Sequence, residues 1–126
     1  MKKIVGVVVS LLAVCSAHAG ERLSSSELKA FYTDTTISGV HFRFGPGKTY
    51  FGADGGVHSK SGGGKERMGK WWVDDGAGKR CIRWNNKNKD LCHYTERNGD
   101  GTHTLVHGKN GKRLVEIKST QQGNHL

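Results

Sequence analysis

The stretch that most constrains the fold is residues 69–97, GKWWVDDGAGKRCIRWNNKNKDLCHYTER. It holds all three tryptophans of the chain, together with Cys81 and Cys92, the only cysteines outside the first 19 residues. A symmetric loop between two strands places Cys81 opposite Cys92, at a Cα separation that a disulfide accepts. Bulky β-forming residues separated by Gly, Asp and Asn clusters predict three strands in this stretch: Trp71–Val73, Arg80–Trp84 and Lys89–Arg97. We therefore predict a disulfide-bonded antiparallel hairpin.

Residues 1–19 have the pattern of a secretory signal sequence. Two lysines precede an apolar run over Ile4–Val14, and Ala17–Ala19 is a small-x-small cleavage site. The apolar run is too short to cross a bilayer, so we expect no transmembrane span after cleavage. Residues 12–15 loosely resemble a lipoprotein box, which makes lipid attachment at Cys15 the alternative. We expect a periplasmic or secreted protein.

Cleavage leaves one domain at 20–126, which is large enough for a single modest core. Removing Lys2 and Lys3 lowers the formal net charge from +9 to +7. The basic residues form no block of like charge, so they indicate a solvated surface, with a polyanion site as the open alternative. Export favours oxidised cysteines, and ten intervening residues do not match the CxxC spacing of a metal site.

The rest of the chain predicts a short helix followed by hairpins. Ser24 and Glu27 have the spacing of a capping box, which starts a helix over about 24–32. Val40–Phe44 and Thr49–Phe51 read as strands on either side of a turn at 45–47. Seven to eight short antiparallel strands with one N-terminal helix indicate a mainly β protein. Its architecture is either an up-and-down meander or a small calycin-like barrel.

Alternation along the strands sorts the side chains into two faces. The apolar face, which is the predicted core, collects Trp71, Val73, Ile82, Trp84, Leu91, Val106, Val115 and Ile117. The mixed face collects Trp72, Cys81, Cys92, Tyr94, His103, Leu105, His107 and Leu114. A one-residue bulge would exchange the two faces for every residue after it.

Several short motifs occur in a fixed order along the mature chain. They are Glu27-Leu28-Lys29, Gly69-Lys70-Trp71, and Cys81-x-x-Trp84 followed by Cys92. This order resembles the small secreted bacterial domains grouped as domain of unknown function 995, over most of the mature chain. His93 departs from the pattern, which has an aromatic residue after the second cysteine. The resemblance implies an exported, disulfide-bearing β domain with no established activity.

The sequence offers little support for catalysis. It has no G-x-S-x-G nucleophile elbow and no C-x-x-C-H haem motif, and we expect no cofactor. His103 and His107 share one face of a strand, but about 13 Å separates their Cα atoms. These two residues cannot hold one metal ion without further ligands. A metal-binding protein or enzyme that uses His93, His103 and His107 is the alternative hypothesis.

We predict a non-enzymatic binding or accessory protein for an anionic envelope component, such as a polysaccharide or a lipid headgroup. Trp72 and Tyr94, near the disulfide, are candidates for an aromatic platform; alternatively, Trp72 only packs on the bridge. Basic residues on turns would contact the anion: Lys65, Arg67, Lys87, Lys109 and Lys112. We expect a monomer and no nucleic-acid partner.

Overall fold

A computed structural model describes residues 20–126; the predicted signal sequence, with Cys15, lies outside the described residues. The described residues form one helix and eight strands. Helix α1 is Ser25–Tyr32, and the strands are β1 (Thr35–His41), β2 (Gly45–Phe51), β3 (Gly56–Ser61), β4 (Glu66–Asp74), β5 (Lys79–Trp84), β6 (Leu91–Arg97), β7 (His103–His107) and β8 (Arg113–Gln122). Each strand pairs antiparallel with the next, and β8 pairs with β1, which closes the barrel. The predicted mainly β class and small barrel are confirmed.

Helix α1 closes one end of this barrel. Its capping box forms as predicted: the Glu27 N–H donates to Ser24 Oγ at 3.2 Å, and the Ser24 N–H donates to Glu27 Oε1 at 2.8 Å. Leu28 and Tyr32 are fully buried, and the Tyr32 hydroxyl lies 2.7 Å from Thr95 Oγ1. A short helix gains its stability from such docking rather than from its own hydrogen bonds. We call this the helix end, and the opposite end the open end.

The three tryptophans lie where the sequence predicts. Trp71 and Trp84 are 9% and 6% exposed and belong to the core, whereas Trp72 is 37% exposed and pairs with Cys81 on the outer wall. The Trp71 indole N–H donates to the Gly52 carbonyl at 2.8 Å. Gly69 pairs with Trp84, and a Cβ at Gly69 would collide with the Arg83 carbonyl oxygen. A side chain is therefore excluded where β4 and β5 approach closely.

The predicted disulfide is also present. Cys81 and Cys92 pair directly across β5 and β6, with their Cα atoms 4.0 Å apart and their sulfur atoms at bonding distance. Beside them, the Arg83 Nε donates to Asp90 Oδ1 at 2.7 Å, as the predicted register requires. The bridge lies on the outer wall of the barrel.

The predicted side-chain faces are wrong for β7. Arg97 pairs with His103, so the turn between them has five residues, whereas the predicted faces correspond to a turn of four. The extra residue shifts the register by one, and three residues turn inward: His103, Leu105 and His107. Val106, predicted in the core, lies on the outer side opposite Tyr94, although it is buried there.

Two other features differ from the sequence-based expectation. The first is a bulge between Leu105 and Val106 in the pairing with β8. It shifts the register by one residue a second time, so that Val115 lies on the inner side, where the sequence predicted it. The first turn is at 42–44 and not at 45–47, because His41 pairs with Gly45. Gly45 has a φ of +86°, a conformation that glycine adopts at little cost, and it ends the turn. Phe42 and Phe44, predicted in a strand, therefore lie at a turn.

Candidate binding site at the open end of the barrel

The loops at the two ends of the barrel carry opposite charge. The open-end loops are 42–44, 62–65, 85–90 and 108–112, and their charged residues are Arg43, Lys65, Lys87, Lys89, Lys109, Lys112 and a single acid, Asp90. The connections at the helix end are 33–34, 52–55, 75–78 and 98–102, and they contain Asp34, Asp54, Asp75 and Asp100 but no lysine or arginine. The up-and-down order of the strands thus collects the basic loops on one side of the molecule. The loops of the open end therefore favour an anion, and those of the helix end do not.

Four of the five predicted basic contact residues lie in the open-end loops, and all four are exposed: Lys65, Lys87, Lys109 and Lys112. Arg67, the fifth, lies in β4 and not in a turn. Its guanidinium carbon is 4.2 Å from the centroid of the Trp84 ring, which places it at the mouth of the barrel. The structure therefore brings together basic residues that are spread over 48 positions of sequence.

Large apolar side chains accompany this charge. Phe42 is 56% and Phe44 72% exposed, both at the turn between β1 and β2. The N–H groups of Arg43 and Phe44 donate to His41 Nδ1 at 3.0 and 3.2 Å, which holds the turn in shape. Met68, near the start of β4, is also exposed. Exposed apolar side chains grouped among basic residues are typical of an interaction surface.

The predicted aromatic platform lies elsewhere. Trp72 and Tyr94 are on the outer wall, around the disulfide. The guanidinium carbon of Arg22 is 3.7 Å from the centroid of the Tyr94 ring, and Lys79 Nζ is 5.1 Å from it. Tyr94 is therefore already covered by cations, and the two aromatic residues are not part of the open end.

The interior of the barrel contains a cavity of about 280 Å³. A smaller space of about 170 Å³ adjoins it toward the open end, and both are bordered by His41, Phe44 and Arg67. Most of the cavity wall is apolar and includes Ile37, Ile82, Trp84, Leu91, Leu105, Leu114 and Ile117. The cavity reaches the aromatic residues at the helix end, Tyr32 and Phe51.

Arg80 lies in the wall of this cavity and is 5% exposed. Its guanidinium carbon is 5.2 Å from the ring centroids of Tyr32 and Phe51. Its Nε has no hydrogen-bond partner, and no carboxylate of residues 20–126 forms an ion pair with it. Burial lowers the pKa of Arg80, with Tyr32 acting in the opposite direction. An arginine nevertheless keeps its proton in a protein, so a positive charge is buried here.

His93 pairs with Arg80 across β5 and β6 and borders the same cavity. Its Nδ1 is buried without a partner. Burial, followed by the charge of Arg80, lowers the pKa of His93 to about 4. Its imidazole is consequently neutral near pH 7. Sequence patterns did not point to this pair, although Arg80, Ile82 and Trp84 alternate in a way that puts all three on the inner side.

The three candidate metal ligands do not converge. The ring centroids of His93 and His107 are 5.4 Å apart. His103 lies at the other end of the barrel, where its ring centroid is 4.5 Å from that of Phe31 in α1. In the part of the chain that the structure describes, no three His, Cys, Asp or Glu side chains are grouped closely enough to hold a metal ion.

A groove of about 460 Å³ lies on the outer wall along β1, β2 and β3. Lys48, Lys60 and Lys118 border it, together with the C-terminal Leu126. Lys118 is already paired with Glu116 at 3.3 Å. Of the buried polar side-chain atoms without a partner in residues 20–126, none lies in this groove. The barrel interior, with Arg80 and His93, is the better candidate for a ligand site.

Comparison with models of protein families, with curated proteins and with solved structures finds no match to this chain. The resemblance to domain of unknown function 995 therefore stays a prediction. Over residues 20–126 the only helix is too short and too polar to cross a membrane.

Proposed function

We propose that this is a non-enzymatic, exported binding protein that docks its open end on an anionic lipid surface of the envelope. The observation that supports the proposal most directly is the separation of loop charge, with six basic residues and one acid around the mouth. This arrangement concentrates a modest net charge into a predominantly basic surface at one end of the barrel.

Charge and apolar surface act together in such docking. A lysine or arginine close to an anionic membrane contributes about 1 kcal/mol, and this attraction falls off within a Debye length. Phe42 and Phe44 lie among these basic residues and are largely exposed. Aromatic side chains enter the boundary between headgroups and acyl chains, where their burial adds to binding.

The two phenylalanines favour a lipid surface over an acidic polysaccharide. A glycan offers negative charge and sugar faces but has no acyl region for an apolar turn to enter. The aromatic residues that sequence analysis proposed for sugar stacking, Trp72 and Tyr94, are on the outer wall, away from the basic loops. We therefore choose the lipid headgroup from the two anionic partners that the sequence suggested.

Vesicle co-sedimentation tests the proposal. The mature protein is mixed with phosphatidylcholine vesicles that either contain or lack phosphatidylglycerol, at low salt and at about 0.5 M salt, where the Debye length is only a few ångströms. We expect binding to the anionic vesicles alone, strong at low salt and weak at high salt. The double variant Phe42→Ser/Phe44→Ser should lose at least about tenfold in affinity, because it lacks the two apolar side chains that would be buried in the membrane.

The control variant is Trp72→Ser, which removes an exposed aromatic residue from the outer wall and should bind vesicles like the parent protein. A soluble acidic polysaccharide provides a second control ligand. Equal binding to anionic and neutral vesicles would contradict the proposal. Tighter binding to the polysaccharide than to the vesicles, unaffected by loss of the phenylalanines, would replace lipid by glycan as the partner.

A further inference from the structure

We infer that the cavity inside the barrel binds a small amphiphile with a single carboxylate, and that Arg80 holds the carboxylate. This site is distinct from the docking surface, because it lies within the barrel and both Arg80 and His93 are buried. Its ligand is one molecule and not a membrane surface.

The first step of the argument is the unbalanced charge of Arg80. Removing a cation from water is costly unless a partner compensates it. The rings of Tyr32 and Phe51 compensate in part, since the faces of aromatic rings attract cations. No acidic side chain in residues 20–126 completes the compensation. A bound anion would supply the missing charge.

The second step is the number of charges and donors. His93 is neutral near pH 7, so the pair of residues carries a single positive charge. A monoanion neutralises the charge of this pair, and Arg67, the other arginine that borders the cavity, is exposed at its mouth. The Arg80 Nε and the His93 Nδ1 are both buried beside the cavity without partners. A carboxylate accepts from the guanidinium and, when His93 carries its proton on Nδ1, from the imidazole as well.

The third step is the rest of the cavity. Around Arg80 and His93 the wall contains many apolar side chains, such as Trp84, Leu91 and Leu105, and the remaining polar residues are His41, Thr49, Ser59 and Arg67. The apolar side chains match an alkyl chain. The volume of about 280 Å³ is close to the lower limit, roughly 300 Å³, of small-molecule pockets, so the chain must be short. The space near Phe44 and Arg67 connects the cavity with the open end and provides the path of entry.

The test compares octanoate with octanol by isothermal titration calorimetry on the mature, disulfide-bonded protein. The two probes have the same alkyl chain and differ in the carboxylate. We expect the parent protein to bind octanoate at least about tenfold more tightly than octanol, the effect of one charge-assisted hydrogen-bonded pair. Arg80→Met should abolish this preference and still bind octanol.

Arg83→Met is the matched control, because Arg83 is on the same strand but faces outward, where it pairs with the exposed Asp90. It should keep the preference for octanoate. The Arg80 variant should fold, since an apolar residue of similar length replaces an unpaired buried charge. If it does not fold, the His93 imidazole resonances of the parent protein provide the second measurement. Octanoate should then shift the His93 titration to higher pH.

Equal affinity for octanoate and octanol would overturn the inference. So would retention of the preference in Arg80→Met, or failure of the parent protein to bind either probe. None of these measurements contains a membrane, so their outcome is independent of the vesicle experiment.

Discussion

Arg80 and His93 pair across β5 and β6 inside the barrel, and each has a buried nitrogen without a hydrogen-bond partner. Both are polar residues on the inner side of the barrel, where apolar side chains are usual. Arginine and histidine respond differently to burial. The arginine keeps its proton and stays charged, whereas the histidine loses its proton and becomes neutral. The pair therefore makes the stability of the barrel sensitive to pH.

We predict that the protein loses stability as the pH falls from about 6.5 to about 4. The folded state binds the His93 proton only near pH 4, whereas the unfolded chain binds it near 6.5, so protons favour unfolding in this window. Between about pH 7.5 and about pH 5, this residue should lower the free energy of unfolding by about 2 kcal/mol. Urea denaturation at the two pH values measures the effect.

The variant His93→Gln serves as the control for this prediction. The pKa values of His41 and His103 are also lowered by burial, so part of the pH dependence belongs to them. We expect the variant to keep that part and to lose the contribution of about 2 kcal/mol from His93. An identical pH dependence in both proteins would show that His93 titrates normally.

We predict very different costs for the three tryptophans. Trp84→Ala and Trp71→Ala remove buried rings and should each lower the free energy of unfolding by roughly 3–5 kcal/mol, as large-to-small core changes do. Trp72→Ala should cost about 1 kcal/mol or less, because its ring is more than a third exposed. Chemical denaturation of the three variants measures the costs. If Trp72→Ala were the most damaging, β4 would have to face the other way.

The disulfide should contribute about 3 kcal/mol to stability, the value that the chain-entropy model gives for a loop of this length. The double variant Cys81→Ser/Cys92→Ser should therefore unfold at a lower urea concentration. Titration of free thiols in the denatured, unreduced mature protein should find neither cysteine free. Two free thiols in material exported to an oxidising compartment would contradict the assignment.

Local patterns in the sequence predicted much of the fold. The Cys81–Cys92 pairing, the capping box and the places of the three tryptophans all depend on neighbouring residues or on one short loop. The inner and outer faces of β7 could not be predicted in the same way. They depend on whether the turn after Arg97 has four or five residues, and turn residues alone do not specify this number.

The candidate site was predictable only in part. Four of the basic contact residues were identified because they lie in turns, but only closure of the barrel brings their four loops to one end. Arg80 and His93 come together through the pairing of β5 with β6 and the inward turn of both side chains. Sequence analysis considered His93 only within the alternative hypothesis of a metal site, because an isolated histidine carries no sign of the arginine that faces it.

The measurement that tests the central claim most directly compares two variants of equal net charge in binding to phosphatidylglycerol vesicles. The first variant has glutamine at four open-end lysines: Lys87, Lys89, Lys109 and Lys112. The second has glutamine at four lysines of the barrel strands outside the open-end loops: Lys48, Lys60, Lys70 and Lys118. We expect the first to lose on the order of a thousandfold in affinity and the second less than about tenfold, because each of the four lysines next to the membrane contributes about 1 kcal/mol. Equal losses in the two variants would mean that net charge, and not the open end, governs binding, and would contradict the account.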